Sequence, residues 1–167
     1  LLELPNGDFA RTMVRQFFFD TYHLLSLDGL VAGCDTEIAG IAAKAVKEVR
    51  YHLRHSRGWV IRLGNGTEES HARMQKALDD CAPCVPELFE TDSTYLELKD
   101  QNIVPDIQLL KSEWECQINQ VLGEATLQMP EITHAMSGGR QGLHSEHLGY
   151  LLAEMQFLQR AYPGASW

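Results

Sequence analysis

The amino-acid sequence predicts an all-α helical bundle that forms a single domain over residues 1–167. Apolar residues recur every three to four positions along most of the chain, which is the period of a helix with one buried face. No segment shows the alternation of apolar and polar residues that is typical of a half-buried strand. One helical pattern continues from residue 36 to Gly64. That is roughly 40 Å of helix, a length that is ordinary in a bundle.

The first predicted helix begins after Asp8, a favourable N-cap residue, and ends near Gly33. Asp20 falls on its inward row, where an apolar residue is expected. The row therefore predicts one buried face that is interrupted by a carboxylate. Its apolar members are Phe9, Met13, Phe17, Leu24, Leu27 and Val31.

The second predicted helix begins at Asp35 or Thr36 and ends at Gly64. Only a short turn near Gly33 separates it from the first helix, so the two helices should pack antiparallel. Its inward row, like that of the first helix, mixes apolar and polar side chains. The row is Ile38, Ile41, Ala42, Ala45, Val49, His52, Leu53, Ser56, Val60 and Leu63.

A third helix is predicted from Thr67 to about Phe89. We expect a bend or break at Pro83 and Pro86, because proline removes a helical hydrogen bond. Residues 90–106 lack a sustained helical period, and we interpret them as a connection.

The last part of the chain contains two more predicted helices. Asp106 should cap one that runs to about Leu127. Residues 129–142 carry glycines and polar residues and are predicted to be a loop. The final helix begins after Ser145 and ends before Pro163.

The composition of the chain argues against some classes of binding partner and indicates the cellular compartment. A formal charge of −9 argues against nucleic acid and anionic membranes as partners. No apolar run approaches the ~20 residues that a membrane span needs. No signal peptide opens the chain, so we expect a cytoplasmic protein. The chain does not begin with Met, and we expect that an N-terminal segment precedes it in the longer protein.

Two of the four cysteines, Cys81 and Cys84, have C-x-x-C spacing. A thioredoxin-like site would need a βαβ context, and a zinc site would need two further ligands nearby. Cys34 and Cys116 are isolated in the sequence. We therefore expect four reduced thiols, as is usual in the cytosol.

Four polar residues are predicted on the inward rows of the first two helices. Asp20 and His23 are three apart and share one helix face. Glu48 and His52 are four apart on the second helix. In an antiparallel pair these side chains should lie at similar depth, which predicts a buried polar cluster.

The chemistry of this cluster has two interpretations. A ferritin-like di-iron site takes one carboxylate from each of two helices and a Glu-x-x-His pair from each of the other two. Residues 20–23 have D-x-x-H spacing, but Tyr51 stands three residues after Glu48, and His52 comes one residue late. Buried charges persist only when they are paired, which favours a hydrogen-bonded cluster at a vestigial metal-site position. We therefore expect no catalytic, cofactor-binding or metal-ligating residue in this chain.

Two features indicate a surface for a partner protein. Three consecutive phenylalanines point about 100° apart around the first helix, so a single narrow core cannot cover them all. Three arginines on the second helix form a basic run that is solvated or faces a partner. The candidate interface comprises Phe17, Phe18, Phe19, Arg50, Arg54 and Arg57.

Several motifs together carry a family resemblance. They are LPNGDFARTMVRQFFFD, YHLRHSRGW, RLGNGTEESH and SEHLGYLLAEMQ. This combination resembles the phenylacetic acid catabolic protein family over essentially all 167 residues. The resemblance implies a ferritin-like helical bundle that lacks the N-terminal helical hairpin of longer family members.

The resemblance also implies a function. The chain is similar to the non-catalytic structural subunit of a multicomponent monooxygenase that epoxidises phenylacetyl-CoA in aerobic phenylacetate degradation. A catalytic A subunit would carry the di-iron centre, a B subunit would bridge the hetero-oligomer, and a separate reductase would supply electrons through NADPH, flavin and iron–sulfur cofactors. The alternative is an independent di-iron oxidase or oxygenase of ferritin-like fold.

Overall fold

The computed structural model describes residues 1–166. Within that range the chain is all-α, as predicted, with seven α-helices, three short 3₁₀ turns and no strand. The helices are α1 (Phe9–Val31), α2 (Thr36–Gly64), α3 (Glu68–Cys81), α4 (Ser93–Asp100), α5 (Ile107–Glu124), α6 (Glu146–Met155) and α7 (Phe157–Ala161).

Side-chain caps fix where the first five helices begin. The predicted caps Asp8, Asp35, Thr67 and Asp106 each accept hydrogen bonds from backbone amides of the first turn. Asp92 does the same for α4, which lies in the segment predicted to be a connection. That prediction was wrong because α4 has only eight residues and none of them is buried, so it leaves no apolar period to detect.

The break near the prolines is confirmed. Helix α3 ends at Cys81, and the chain continues through 3₁₀ turns at Ala82–Cys84 and Pro86–Phe89. Proline cannot donate the backbone hydrogen bond that a continuing α-helix requires. The two turns carry Phe89 back toward α5, where its ring is buried.

Helices α1 and α2 form the antiparallel pair that the sequence predicted. At one end the rings of Phe9 and Trp59 meet at 5.2 Å between centroids. Toward the connecting turn, Arg50 lies 3.7 Å from Asp28. As the residue number rises along α1, it falls along α2, which is the register of a helical hairpin.

The buried stripe of α2 differs slightly from the predicted row. Ile41 is 69% exposed, whereas Val46, which was not on the row, is buried. The residues of the observed stripe are four, three, seven and four positions apart, which keeps the stripe facing α1 along a long helix. It is formed by Ala42, Val46, Val49, Ser56 and Val60.

The aromatic core joins α1 to α5. The ring centroid of Trp114 lies 5.5 Å from those of Phe18 and Phe89, in a tilted and an edge-to-face contact. Its indole N–H donates a 2.9 Å hydrogen bond to the Phe18 carbonyl oxygen. Phe17 and Phe18 are therefore buried within the chain itself. Their predicted role in a partner interface is wrong, because α3 and α5 cover the sides of α1 that α2 does not.

The C-terminal segment lies outside this core. In place of one long predicted helix, the chain forms α6 and α7, separated at Gln156. Ser145 precedes α6 as predicted, but its hydroxyl donates to Glu3 instead of capping the helix. Across residues 1–166, no helix combines the length and the apolarity that crossing a membrane requires.

Candidate functional site

A buried carboxylate links the two long helices. Asp20 on α1 is 4% exposed, and its Oδ2 accepts a 2.8 Å hydrogen bond from the Ser56 hydroxyl on α2. Ser56 is also buried, at 1% exposed. A charged acceptor makes such a hydrogen bond about twice as strong as a neutral one. This Asp20–Ser56 bridge is a buried polar link between α1 and α2.

Burial and three nearby histidines affect the pKa of the Asp20 carboxyl. Burial is the main influence on the pKa of Asp20 and raises it, while the Ser56 hydrogen bond and the nearby His52, His23 and His55 oppose that rise. Burial likewise lowers the pKa of His23, and the Asp20 charge opposes this. Each group is thus shifted toward its neutral form, as expected when charge is removed from water.

The predicted four-residue cluster is smaller in the structure. Asp20 is buried and His23 is half-buried, but Glu48 and His52 are exposed. Within residues 1–166, Glu48 makes neither a hydrogen bond nor an ion pair. The register explains the difference, since Asp20 lies opposite Ser56 and Glu48 is eight residues, or about 12 Å, further along α2.

The described residues do not by themselves bring a di-iron ligand set together. Tyr51, which stands where a Glu-x-x-His pair would need histidine, is 58% exposed. In the described part of the chain, no three His, Cys, Asp or Glu side chains are placed to share a metal ion.

The predicted basic run lies on an accessible surface. Its three arginines form one wall of a groove of about 690 Å³ between α2 and α5. Arg57 donates to both carboxylate oxygens of Glu124, at 3.1 and 3.2 Å. The Arg54 guanidinium stacks 5.1 Å from the Tyr51 ring centroid, and Arg50 pairs with Asp28. Whether a partner contacts these arginines stays a prediction.

The C-x-x-C pair forms part of the core. Cys81 and Cys84 are buried free thiols, and Cys34 and Cys116 are exposed free thiols. Burial raises the pKa of Cys81 to about 11, so this thiol stays protonated at neutral pH. A protonated, buried cysteine packs like a small apolar residue and is a poor nucleophile.

Sequence reasoning missed Ser56 as the partner of Asp20. Both residues were predicted on the inward rows of an antiparallel helix pair. That placement was the signal in the sequence that could have identified Ser56. Two polar residues on facing apolar rows indicate a hydrogen bond between the helices, because neither can be buried unpaired. The exact register needed to pair them is not contained in either helix alone.

The fold and the buried bridge define an all-α helical-bundle protein built on a long antiparallel helix pair. Within that class, the chain belongs to the family described as phenylacetic acid catabolic protein, whose sequence profile matches residues 1–167. The resemblance seen in the sequence motifs is thereby confirmed.

One curated relative is similar along the full chain. The chain is 46% identical over 167 residues to the C subunit of 1,2-phenylacetyl-CoA epoxidase from Escherichia coli (strain K12). The match covers all of this chain and 67% of the relative.

Proposed function

We propose that this chain is the non-catalytic structural subunit of a multicomponent 1,2-phenylacetyl-CoA epoxidase that acts in phenylacetate catabolism. The observation that carries the proposal is the 46% identity to the epoxidase C subunit along the entire chain. In this role it pairs with and stabilises a catalytic A subunit, while a B subunit bridges the hetero-oligomer. The di-iron centre belongs to the A subunit, and NADPH, flavin and iron–sulfur cofactors belong to a separate reductase in the cytoplasm.

The geometry of the inward rows supports a structural role. The Asp20 carboxylate accepts a hydrogen bond from the Ser56 hydroxyl and so joins α1 to α2. Glu48 and Tyr51 face solvent in the described chain. These contacts support a stabilising role for the buried polar group, and we infer that the substrate chemistry falls to another subunit.

Metal analysis combined with reconstitution tests this proposal. The full-length protein, purified alone, should contain far less than one iron per chain after aerobic loading with Fe(II). Mixed with the A subunit, it should elute as a heteromer in size-exclusion chromatography. About two irons per chain, with an oxo-bridged absorption band, would contradict the proposal and favour an independent di-iron oxidase.

A variant pair separates structure from catalysis at the bridge. In the reconstituted epoxidase, Asp20→Asn should leave the turnover number unchanged, because asparagine can still accept the Ser56 hydrogen bond. Asp28→Asn, an exposed substitution on the same helix, serves as the matched control. A hundred-fold loss of turnover confined to Asp20→Asn, with the complex intact, would place Asp20 in the catalytic machinery.

A further inference from the structure

The α2–α5 groove, which the three arginines of the basic run line on one side, is blind at one end. There Arg57 donates to both carboxylate oxygens of Glu124, and the Asn65 side chain donates a 2.7 Å hydrogen bond to the Glu124 carbonyl oxygen. The two helices also touch at Gly64, where an added Cβ would clash with the Ala125 carbonyl oxygen. A helix lying along this groove would meet that closed end, whereas a compact molecule can enter from the open end.

The interior of the groove has the size and lining of a small-molecule site. Its volume is about 690 Å³, within the roughly 300–1,000 Å³ that ligand pockets span. The open end lies between Arg50 and Glu113, which form no ion pair with each other in the described chain. An occupant can therefore place an apolar part on the floor and a polar group at the rim. The floor is buried or half-buried and consists of Phe17, Leu53, Ile61 and Val121.

Two of the arginines have hydrogen-bond donors to spare. The Arg54 guanidinium stacks on the Tyr51 ring and pairs with no carboxylate among the described residues. Arg57 uses only its Nη2 atom toward Glu124, so its Nη1 and Nε donors bond to no other residue in the described part of the chain. A guanidinium fork matches a carboxylate or a phosphate in shape and charge. These two side chains therefore favour an anionic group at the arginine wall.

Acidic residues around the groove restrict the charge of that anion. Glu113 lines the opposite wall, where the Gln117 side-chain amide donates a 2.9 Å hydrogen bond to it. Glu124 stands at the blind end, and the whole chain carries a net charge of −9. A dianionic phosphate would meet about twice the repulsion that a carboxylate meets from these groups. The charges thus favour a ligand with one carboxylate attached to an apolar chain or ring.

Both described ends of the chain lie on the other side of α1 from the groove. Arg15 donates a 2.6 Å hydrogen bond to the Leu4 carbonyl oxygen, and Glu3 accepts hydrogen bonds from the amide and hydroxyl of Ser145. Arg15 and the floor residue Phe17 point roughly 160° apart around α1, since successive helical residues turn by about 100°. Neither end therefore covers the groove in the described chain.

We propose that the α2–α5 groove binds a small amphipathic carboxylic acid. The ligand carboxylate accepts hydrogen bonds from Arg54 and from the spare donors of Arg57, and its apolar part lies against Leu53 and Ile61. The Arg57–Glu124 pair stays intact, because the ligand uses donors that Glu124 does not. The site is separate from the proposed structural role, and it assigns these two arginines to a ligand instead of the partner contact expected for them.

Binding of octanoate tests the proposal, because this probe joins one carboxylate to a flexible apolar chain. Isothermal titration calorimetry measures its affinity for the full-length protein, alone and reconstituted with the other epoxidase subunits. Octan-1-ol, which has the same chain without the charge, is the matched ligand control. Arg54→Gln removes the guanidinium fork at an exposed position, so the variant should fold. Arg62→Gln is its matched control, since Arg62 lies over Trp59 at 5.6 Å on the same helix but does not line the groove.

Octanoate should occupy a single site on each chain and bind at least about ten-fold more tightly than octan-1-ol. Arg54→Gln should lose about ten-fold in affinity for octanoate, while Arg62→Gln stays within about two-fold. The methyl NMR signals of Leu53 and Ile61 should shift on binding, and those of the exposed Leu109 on α5 should not. The affinity should be the same, within about two-fold, for the protein alone and for the complex.

Equal affinity for the two ligands, equal effects of the two glutamine variants, or NMR shifts only outside the groove would overturn the inference. Absence of binding to the full-length protein would mean that a further segment of the chain occupies the groove. Loss of binding in the complex would mean that another subunit covers it, and either result also defeats the inference. If the subunits did not assemble, the proposed function would fail, while the measurements on the protein alone would still decide the inference.

Discussion

Residues 9–127 and residues 143–166 both form helices with an apolar stripe, but only the first region covers its stripe with its own chain. Val14, Phe18 and Val60 in the bundle are fully buried. Leu151 on α6 and Leu158 on α7 are 45% and 48% exposed. A helical apolar period therefore shows which residues share a face, and it leaves open which molecule covers that face.

The two regions should differ most in how strongly single substitutions affect stability. In the bundle, side chains are held by several neighbours from distant parts of the sequence. In the C-terminal segment, the described structure shows one polar anchor at Glu3 and an unpacked apolar edge. Four substitutions measure this difference, from the largest expected effect to the smallest.

Trp114→Ala should destabilise the protein most, by about 3–5 kcal/mol, the usual range for removing a buried tryptophan. The substitution removes the contacts with Phe18 and Phe89 and the hydrogen bond to the Phe18 carbonyl oxygen. Urea denaturation followed by circular dichroism measures the free energy of unfolding. Leu109→Ala on the exposed face of the same helix is the control and should change it by less than about 0.5 kcal/mol. Equal effects of the two substitutions would mean that the aromatic core is not packed as described.

Ser56→Ala should reduce the free energy of unfolding by about 1–3 kcal/mol, because it leaves the buried Asp20 carboxylate without its hydrogen-bond donor. Ser112→Ala is a close control, since Ser112 is an exposed helical serine whose hydroxyl donates to the Gln108 carbonyl oxygen within α5. If both serines tolerate alanine equally, the Asp20–Ser56 bridge does not contribute to stability.

Asp20→Asn should stabilise the protein at neutral pH, and the gain should shrink as the pH falls. Burial raises the pKa of Asp20, so the folded protein holds this proton more tightly than the unfolded chain does. The stabilising contribution of Asp20 is thus fully present at pH values below its pKa in the unfolded chain. It is lost as the pH rises through the higher pKa that Asp20 has in the folded protein. Asparagine keeps an acceptor for Ser56 without the charge.

Thermal melts of both proteins between pH 4 and pH 8 give this difference directly. Asp28→Asn, at an exposed position of α1, should show no such trend. A gain for Asp20→Asn that grew toward low pH would have the opposite sign and would contradict the raised pKa.

Tyr150→Ala should have the smallest effect, within about 0.5 kcal/mol, because this side chain on α6 is 73% exposed. The measurement is again urea denaturation of the isolated protein. Tyr22→Ala is the contrasting control, since the Tyr22 ring lies 5.7 Å from Phe89 at the edge of the core. A loss at Tyr150 as large as that at Tyr22 would show that the C-terminal segment packs onto the rest of the chain.

Local sequence signals were sufficient for much of the fold. Asp8, Asp35, Thr67 and Asp106 mark helix starts because each cap acts on amides within its own first turn. The break after Cys81 follows from nearby prolines in the same way. Helix α4 escaped detection because it buries no residue, so the cap at Asp92 was its only clear signal.

The candidate site was predicted only in part. Asp20 stood out because a carboxylate on an apolar row must find a partner, and it is indeed buried. The partner was not Glu48 or His52, because a shift of one or two turns between facing helices changes every pairing. That register is set by many side chains that pack simultaneously along both helices.

By itself, the sequence determined the all-α class, the main helix boundaries, the family and the position of the buried acid, because these depend on residues a few positions apart. Only the tertiary structure decided that Ser56 meets Asp20 and that Trp114 covers Phe18. Phe18 and Trp114 are separated by 96 positions in the chain. Contacts over such distances arise from the packing of whole helices, and no local period specifies which faces will meet.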